Sequence, residues 1–368
     1  MKTMMTSMAV AFAVGSLAAP AQARELTYNS FLPAGEPVNS EGLVPFWERI
    51  EQDTGGAYSG RMFYAGQMFG PAEVLSGIKD GAIDAGHVQA TAVLGDMPYA
   101  AVMSEMQIFS PDPVVATAAM AETYLADCPQ CTEELAENGV MSLAGIVTQP
   151  LYMVCAPEVE TTEDLKGLRL MTVLRSQQSA ARHFGMTPVS LSFNEMMPSL
   201  QRGAIDCIMV MDSWFPAFQL QDMVSSVIAT HSFGGAPIPN FLTMSREVWD
   251  EMDAETQAVF VDNAIELSAG LAVYHRDAAV QARQYAVEHG VSEVDPGPEF
   301  EALFDAFVAE EPEDIQRSFE EFGLTDIGPM IETYRENLAK WAEMIPEDVD
   351  AETLAAMIKT EIYDQTGF

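Results

Sequence analysis

The chain has 368 residues, long enough for two domains with sizeable cores, and sets 55 Asp and Glu against 17 Lys and Arg, a formal net charge of −38. A field of that sign repels phosphate backbones and anionic headgroups, which argues against nucleic acid and membrane surfaces as partners. It suits solubility in a salty extracytoplasmic medium, and it disfavours anionic ligands unless a pocket supplies its own positive groups.

Residues 1–23 read as a signal peptide. Lys2 is a weak positive start, Met8 to Ala19 a short apolar core, and Ala21-Gln22-Ala23 an A-x-A cleavage signal, so a mature periplasmic protein is expected to begin at Arg24. No later apolar run approaches the roughly 20 residues that a membrane span needs. A soluble monomer with no direct membrane insertion is expected.

From Glu25 to Phe31 the pattern predicts a strand, followed by a Pro/Gly loop and a helix through Phe46, Trp47 and Ile50 that stops at Gly55-Gly56. A second strand is expected from Arg61 to Tyr64, and Pro71 opens the next helix. The apolar, Met-rich stretch from Ala90 to Phe109 is broken at Pro98. A helical pattern runs from Val114 to Leu135, and strands are expected from Val140 to Val147 and from Leu151 to Cys155.

The stretch from Thr162 to Phe215 alternates strand and helix, with Ser192 and Glu195 at capping-box spacing. Such alternation predicts an α/β fold whose ligands bind at the carboxyl ends of parallel strands. Its end has an echo upstream: EVLSGIKDGAIDAG begins at Glu73 and EMMPSLQRGAIDCI at Glu195. Two occurrences of helix, Gly and Ala-Ile-Asp in the same setting predict two α/β lobes built alike, with a cleft between them. The chain is expected to cross near Thr148 and to return at Gly234-Gly235-Ala236-Pro237. That division puts 24–148 with about 237–252 in the first lobe, and 149–236 with about 290–368 in the second.

Between them, Phe260, Ala264, Leu267, Leu271, Tyr274, Ala278, Ala282 and Tyr285 recur at helical spacing. A helix over 253–289 would be about 55 Å long and would lie across both lobes.

Four cysteines are present, with Cys128 and Cys131 in a C-x-x-C. No further ligands flank that pair for a metal, and it follows a helix rather than a strand, so a structural disulfide or free thiols are expected. Cys155 and Cys207 fall in apolar strands and read as core. His87, His183, His231, His275 and His289 show no metal-ligand pairing, and no nucleophile elbow or phosphate loop occurs. Neither an enzyme nor a cofactor is expected.

Taken in order, FWERIEQDTGG, FYAGQMFGPAEVLSGIKDGAIDAG, TTEDLKGLRL, TPVSLSFNEMMPSLQRGAIDC, SREVWDEMDAETQAVF and the long helix resemble the solute-binding proteins of tripartite ATP-independent periplasmic (TRAP) transporters. The resemblance implies a two-lobed, periplasmic-binding-protein-like receptor with a helix spanning both lobes. It would deliver a small organic solute to a sodium-driven permease of one small and one large subunit. A lobe that signals to a membrane sensor is the alternative.

Members that bind organic acids usually carry an Arg where this chain has Met171, and often another where it has Leu151-Tyr152-Met153. Arg175 or Arg182 could substitute. Phe193 matches the family's pocket aromatic, whereas Asp212 stands beside Trp214 and Phe215. A carboxylate among aromatic faces suits a small organic cation; the plainer alternative has Asp212 capping a helix and Trp214 in the core. Tyr28, Phe31, His87, Gln89 and Tyr152 complete the expected ligand-binding set with Met171, Phe193, Asp212 and Trp214.

Overall fold

The computed structural model describes residues 23–366; the expected signal peptide lies almost entirely outside them. The strands are β1 (Arg24–Asn29), β2 (Tyr58–Phe63), β3 (Ala85–Gly86), β4 (Val140–Val147), β5 (Tyr152–Cys155), β6 (Arg169–Thr172), β7 (Thr187–Ser190), β8 (Cys207–Val210), β9 (Ser226–Ile228), β10 (Pro237–Ser245) and β11 (Ser292–Val294). They sort into two sheets, β2-β1-β3-β10-β4 and β11-β9-β5-β8-β6-β7. In the first, β1 is parallel to β2 and β3 while β10 runs antiparallel to β3 and β4. In the second, β6 is parallel to β7 and β8 while β5 is antiparallel to β8 and β9. Each sheet has its own apolar core.

The two Ala-Ile-Asp segments repeat one structural device. Asp84 accepts hydrogen bonds from the amide and hydroxyl of Thr27 in β1, both at 2.7 Å. Asp206 likewise accepts from the amide of Arg169 in β6 at 2.8 Å and from its guanidinium at 2.6 and 2.8 Å. In both lobes a carboxylate thus ties the start of one strand to the parallel strand beside it. The preceding glycines, Gly81 and Gly203, have φ of 68° and 62°, the left-handed conformation that ends a helix at little steric cost.

The chain leaves the first lobe after β4 and re-enters it at β10, and these crossings pair with each other. Leu151 donates to Gly234 O at 3.0 Å, Thr148 to Ala236 O at 3.2 Å, and Phe233 to Leu151 O at 2.8 Å. A Cβ on Gly235 would come within 2.1 Å of Thr148 O, and one on Gly234 within 1.8 Å of Gln107 O, so the close approach requires glycine at both positions.

The long helix runs Ala254–Glu288, 35 residues or about 52 Å. Phe260, Ala264, Leu267 and Leu271 join the first core, and Ala286 joins the second. One helix therefore bridges both lobes.

The tail departs from expectation. The Pro298–Glu320 helix does begin on the second lobe, with Phe300 stacked on Phe184 at 4.9 Å. From Ile315 onward, however, Phe319, Ile331, Tyr334, Trp341 and Ile362 belong to the first core. The Gly328–Met344 helix lies on the Pro113–Leu125 helix, where Glu122 accepts from Trp341 Nε1 at 2.7 Å and from Lys340 Nζ at 2.6 Å. Tyr363 donates to Leu143 O in β4 at 2.9 Å. The assignment of 290–368 to the second lobe is corrected for everything past about 315: an acidic amphipathic helix does not announce which apolar face it will cover.

All four cysteines are bonded, Cys128 to Cys131 and Cys155 to Cys207. The second pair staples adjacent strands β5 and β8 at directly opposed positions, so those residues are cross-linked as well as buried. Because the Cys128–Cys131 loop is so short, its loss restricts the unfolded chain little less. Replacing both residues by Ser should cost about 2 kcal/mol or less in denaturant unfolding and leave solute affinity unchanged. Loss of binding in the folded double variant would contradict this.

Candidate functional site

A cavity of about 200 Å³ opens between the lobes, far more than the ~10–15 Å³ one water requires. The first lobe contributes Phe31, Glu36, His87 and Gln89 from the ends of β1 and β3 and the loops that follow. The second contributes Met171 after the start of β6, Gln177, Phe193 and Trp214, while Thr148, Leu151 and Pro237 come from the crossings. The strand ends thus deliver the lining, as the α/β reading predicts.

Aromatic rings line both walls. Phe193, Trp214 and Phe218 form an edge-on cluster with centroids 5.2, 5.8 and 6.2 Å apart. Opposite, the His87 ring lies 4.4 Å from Phe31 and 5.2 Å from Phe241. Burial lowers the His87 pKa to about 3, so the imidazole is neutral, and among the described residues its Nδ1 has no hydrogen-bond partner. Glu36 is 4% exposed; Val38 N–H donates to its Oε2 at 2.7 Å. Burial raises its pKa to about 7, against the opposing pull of that amide and of the Trp214 indole across the cleft. The indole N–H approaches Glu36 without reaching full hydrogen-bond geometry and has no other partner among the described residues. Among the described residues no Lys or Arg lines this cavity.

The lobes also meet beside the cavity. Glu105, at the end of the first lobe's Pro98–Glu105 helix, accepts from Arg175 N at 3.1 Å and Ser176 N at 2.9 Å, capping the second lobe's Arg175–His183 helix. Gln177 Nε2 donates to Gln107 Oε1 at 3.4 Å just inside it. A buried carboxylate at a helix N-terminus satisfies orphan amides and complements the helix dipole.

Residues 28–318 match the family model for bacterial extracellular solute-binding protein, family 7. The chain belongs to this family. Family 7 proteins are extracellular solute receptors rather than catalysts. An uncharacterized protein of Haemophilus influenzae is 22% identical over 279 residues, 71% of this chain and 80% of its own length. Among solved structures, a marine metagenome TRAP solute-binding protein specific for aromatic acid ligands, with metahydroxyphenylacetate, is similar at TM-score 0.73 and 20% identity, covering 86% of this chain and 99% of that one. A Rhodoferax ferrireducens TRAP solute-binding protein with copurified benzoate gives TM-score 0.74 and 18% identity, with 87% and 99% covered. A Bordetella pertussis extracytoplasmic solute receptor binding pyroglutamic acid gives 0.70 and 18%, with 85% and 100% covered. These likenesses show the two-lobed fold.

Of the nine residues expected in the family 7 site, Phe31, His87, Gln89, Met171, Phe193 and Trp214 line the cavity together. Three do not. Tyr28 is fully buried and donates to Phe241 O at 2.6 Å, a core role set by the inward side of β1. Asp212 accepts from Arg283 Nε of the long helix at 2.6 Å, and Tyr152 lies under the same guanidinium at 4.2 Å. Neither sequence reading of Asp212 holds, because its carboxylate is neither a helix cap nor a free counter-charge. It fastens the long helix to the turn that carries Trp214. Burial still raises the Asp212 pKa despite Arg283.

Arg175 and Arg182 do not substitute for the missing cation either. They line a separate cavity of about 350 Å³ with Glu105 and Glu311, and the Arg175 guanidinium lies over Phe322 at 4.9 Å. Glu36 is the residue that sequence reasoning missed. Its only signal is a lone acid in the Pro/Gly loop that follows β1, and loop acids are common.

Proposed function

We propose that this family 7 receptor captures a small, largely apolar organic solute that presents no carboxylate to the cleft, and delivers it to a TRAP permease of one small and one large subunit. The observation that carries the reading is the absence of Lys and Arg from the cavity lining among the described residues, Met171 lying in that lining where the resemblance to acid-binding TRAP receptors implies an Arg. A desolvated carboxylate without a partner costs several kcal/mol, enough to erase useful affinity, and a thioether donates no hydrogen bond. The lining instead offers neutral partners in Gln89, Gln107 and Gln177 between aromatic walls.

The test is a thermal-shift series on matched skeletons: benzylamine, benzyl alcohol and benzoate, with hexylamine, hexanol and hexanoate. A ligand that binds only the folded state raises the apparent Tm by mass action. Stabilisation by the alcohols or amines and none by the acids is expected; the reverse order would overturn the reading. Two membrane permease genes beside this one would support delivery, and a histidine kinase gene would favour sensing.

A further inference from the structure

We propose that Glu36 is the specificity-determining group of the cleft and that its carboxylate receives the ammonium of a protonated amine solute. This rests on the reading that the cleft takes no carboxylate, and goes beyond it by selecting cationic over neutral solutes. Glu36 is almost wholly buried and lines the cavity, yet no Lys, Arg or His pairs with it among the described residues. Buried carboxylates are ordinarily paired, because desolvation without a counter-charge is costly. Here the Val38 amide donates to one oxygen and the Trp214 indole N–H approaches the carboxylate from the other lobe, while the Phe31 ring lines the same cavity and offers the aromatic surface an ammonium favours. The net charge of −38 enriches cations around the whole molecule.

The surrounding titratable groups leave Glu36 to respond to the ligand. Glu41 follows in the next turn, Tyr274 of the long helix feels both Glu36 and Glu41, and His87 stays neutral. With a pKa of about 7 in the free protein, Glu36 carries a proton about half the time near neutrality. Pairing with an ammonium leaves the amine's proton in place and ionises the carboxyl, so up to one proton passes to solvent. Amine affinity should therefore rise about tenfold from pH 6 to pH 8, the range in which Glu36 loses its proton.

The experiment is calorimetric titration of the parent and Glu36→Gln with benzylamine and benzyl alcohol at pH 6 and pH 8, in two buffers of different ionisation heat. Gln keeps an acceptor for the Val38 amide and the side-chain shape. The parent is expected to bind benzylamine at least tenfold more tightly than benzyl alcohol at pH 8, and to release close to one proton on binding it at pH 6, where Glu36 is protonated before the amine arrives. Glu36→Gln should lose that preference and the pH dependence while keeping alcohol affinity within about threefold. Equal binding of amine and alcohol, or an unchanged pH response in Glu36→Gln, would overturn the role of Glu36 and leave the carboxylate-free reading standing. Preferred binding of benzoate would overturn both.

Discussion

Arg283→Met is expected to lower the unfolding free energy by about 3–5 kcal/mol, the usual result of removing one partner of a buried ion pair. The side chains of Arg283 and Asp212 are 15% and 6% exposed, and the stranded Asp212 would keep only Glu293, a like charge, as its nearest ionised company. The loss should be largely recovered in Arg283→Met with Asp212→Asn, since a neutral pair needs no counter-ion. The same change reaches the cleft: Phe215 N–H donates to Asp212 O at 3.0 Å at the start of the short helix carrying Trp214, so loosening the turn should alter Trp214 fluorescence. Denaturant unfolding of the two variants is the measurement. A single-variant loss below about 1 kcal/mol would mean that the pair is not the fastening described.

Glu311→Gln is expected to stabilise the protein at alkaline pH and to flatten its stability profile. Glu311 is 1% exposed on the Pro298–Glu320 helix, its Oε2 has no hydrogen-bond partner among the described residues, and burial followed by the charge of Glu105 raises its pKa to about 9. A carboxyl whose pKa is raised on folding contributes its full stability below the unfolded value of 4.5 and loses it as pH rises through about 9. Each pH unit in that window costs about 1.4 kcal/mol, so a neutral isostere should gain roughly 3–4 kcal/mol at pH 7.5. Glu36 and Glu134, both raised to about 7 by burial, act in the same direction over a shorter range. Asp206, held low by Arg169, acts oppositely, its contribution being lost as pH falls through its depressed value. The parent should be most stable near pH 5. Unfolding curves from pH 5 to pH 9 that run parallel for parent and Glu311→Gln would contradict this account.

Much of the architecture was legible because it rests on local chemistry. The twin Gly-Ala-Ile-Asp segments announce two lobes, since each pairs a left-handed glycine with an aspartate that reaches only the neighbouring strand. The long helix declares itself through apolar residues that recur at helical spacing from Phe260 to Tyr285, over about seven turns. The Ser192 and Glu195 capping box is realised, with Ser192 Oγ and N–H both donating to Glu195 Oε2 at 2.7 and 3.0 Å. Phe31, His87, Gln89, Met171, Phe193 and Trp214 could be placed near the cleft because residues at the carboxyl ends of strands converge there in any α/β lobe.

What sequence alone determined is therefore the periodic and the local: two α/β lobes, a bridging helix, and the set of chain segments that meet at the cleft. Tertiary structure decided which charged groups are free. Asp212 and Arg283 are far apart in the chain and carry no mark of their partnership, yet their pairing removes the carboxylate that looked available. Among the described residues it leaves Glu36, an unremarkable loop acid, as the acid lining the cavity between the lobes. The same holds for the tail, whose acidic amphipathic helices could cover either lobe and cross to the first. Charge pairing and helix docking depend on through-space distances between residues remote in sequence, and neither periodicity nor local propensity encodes those distances.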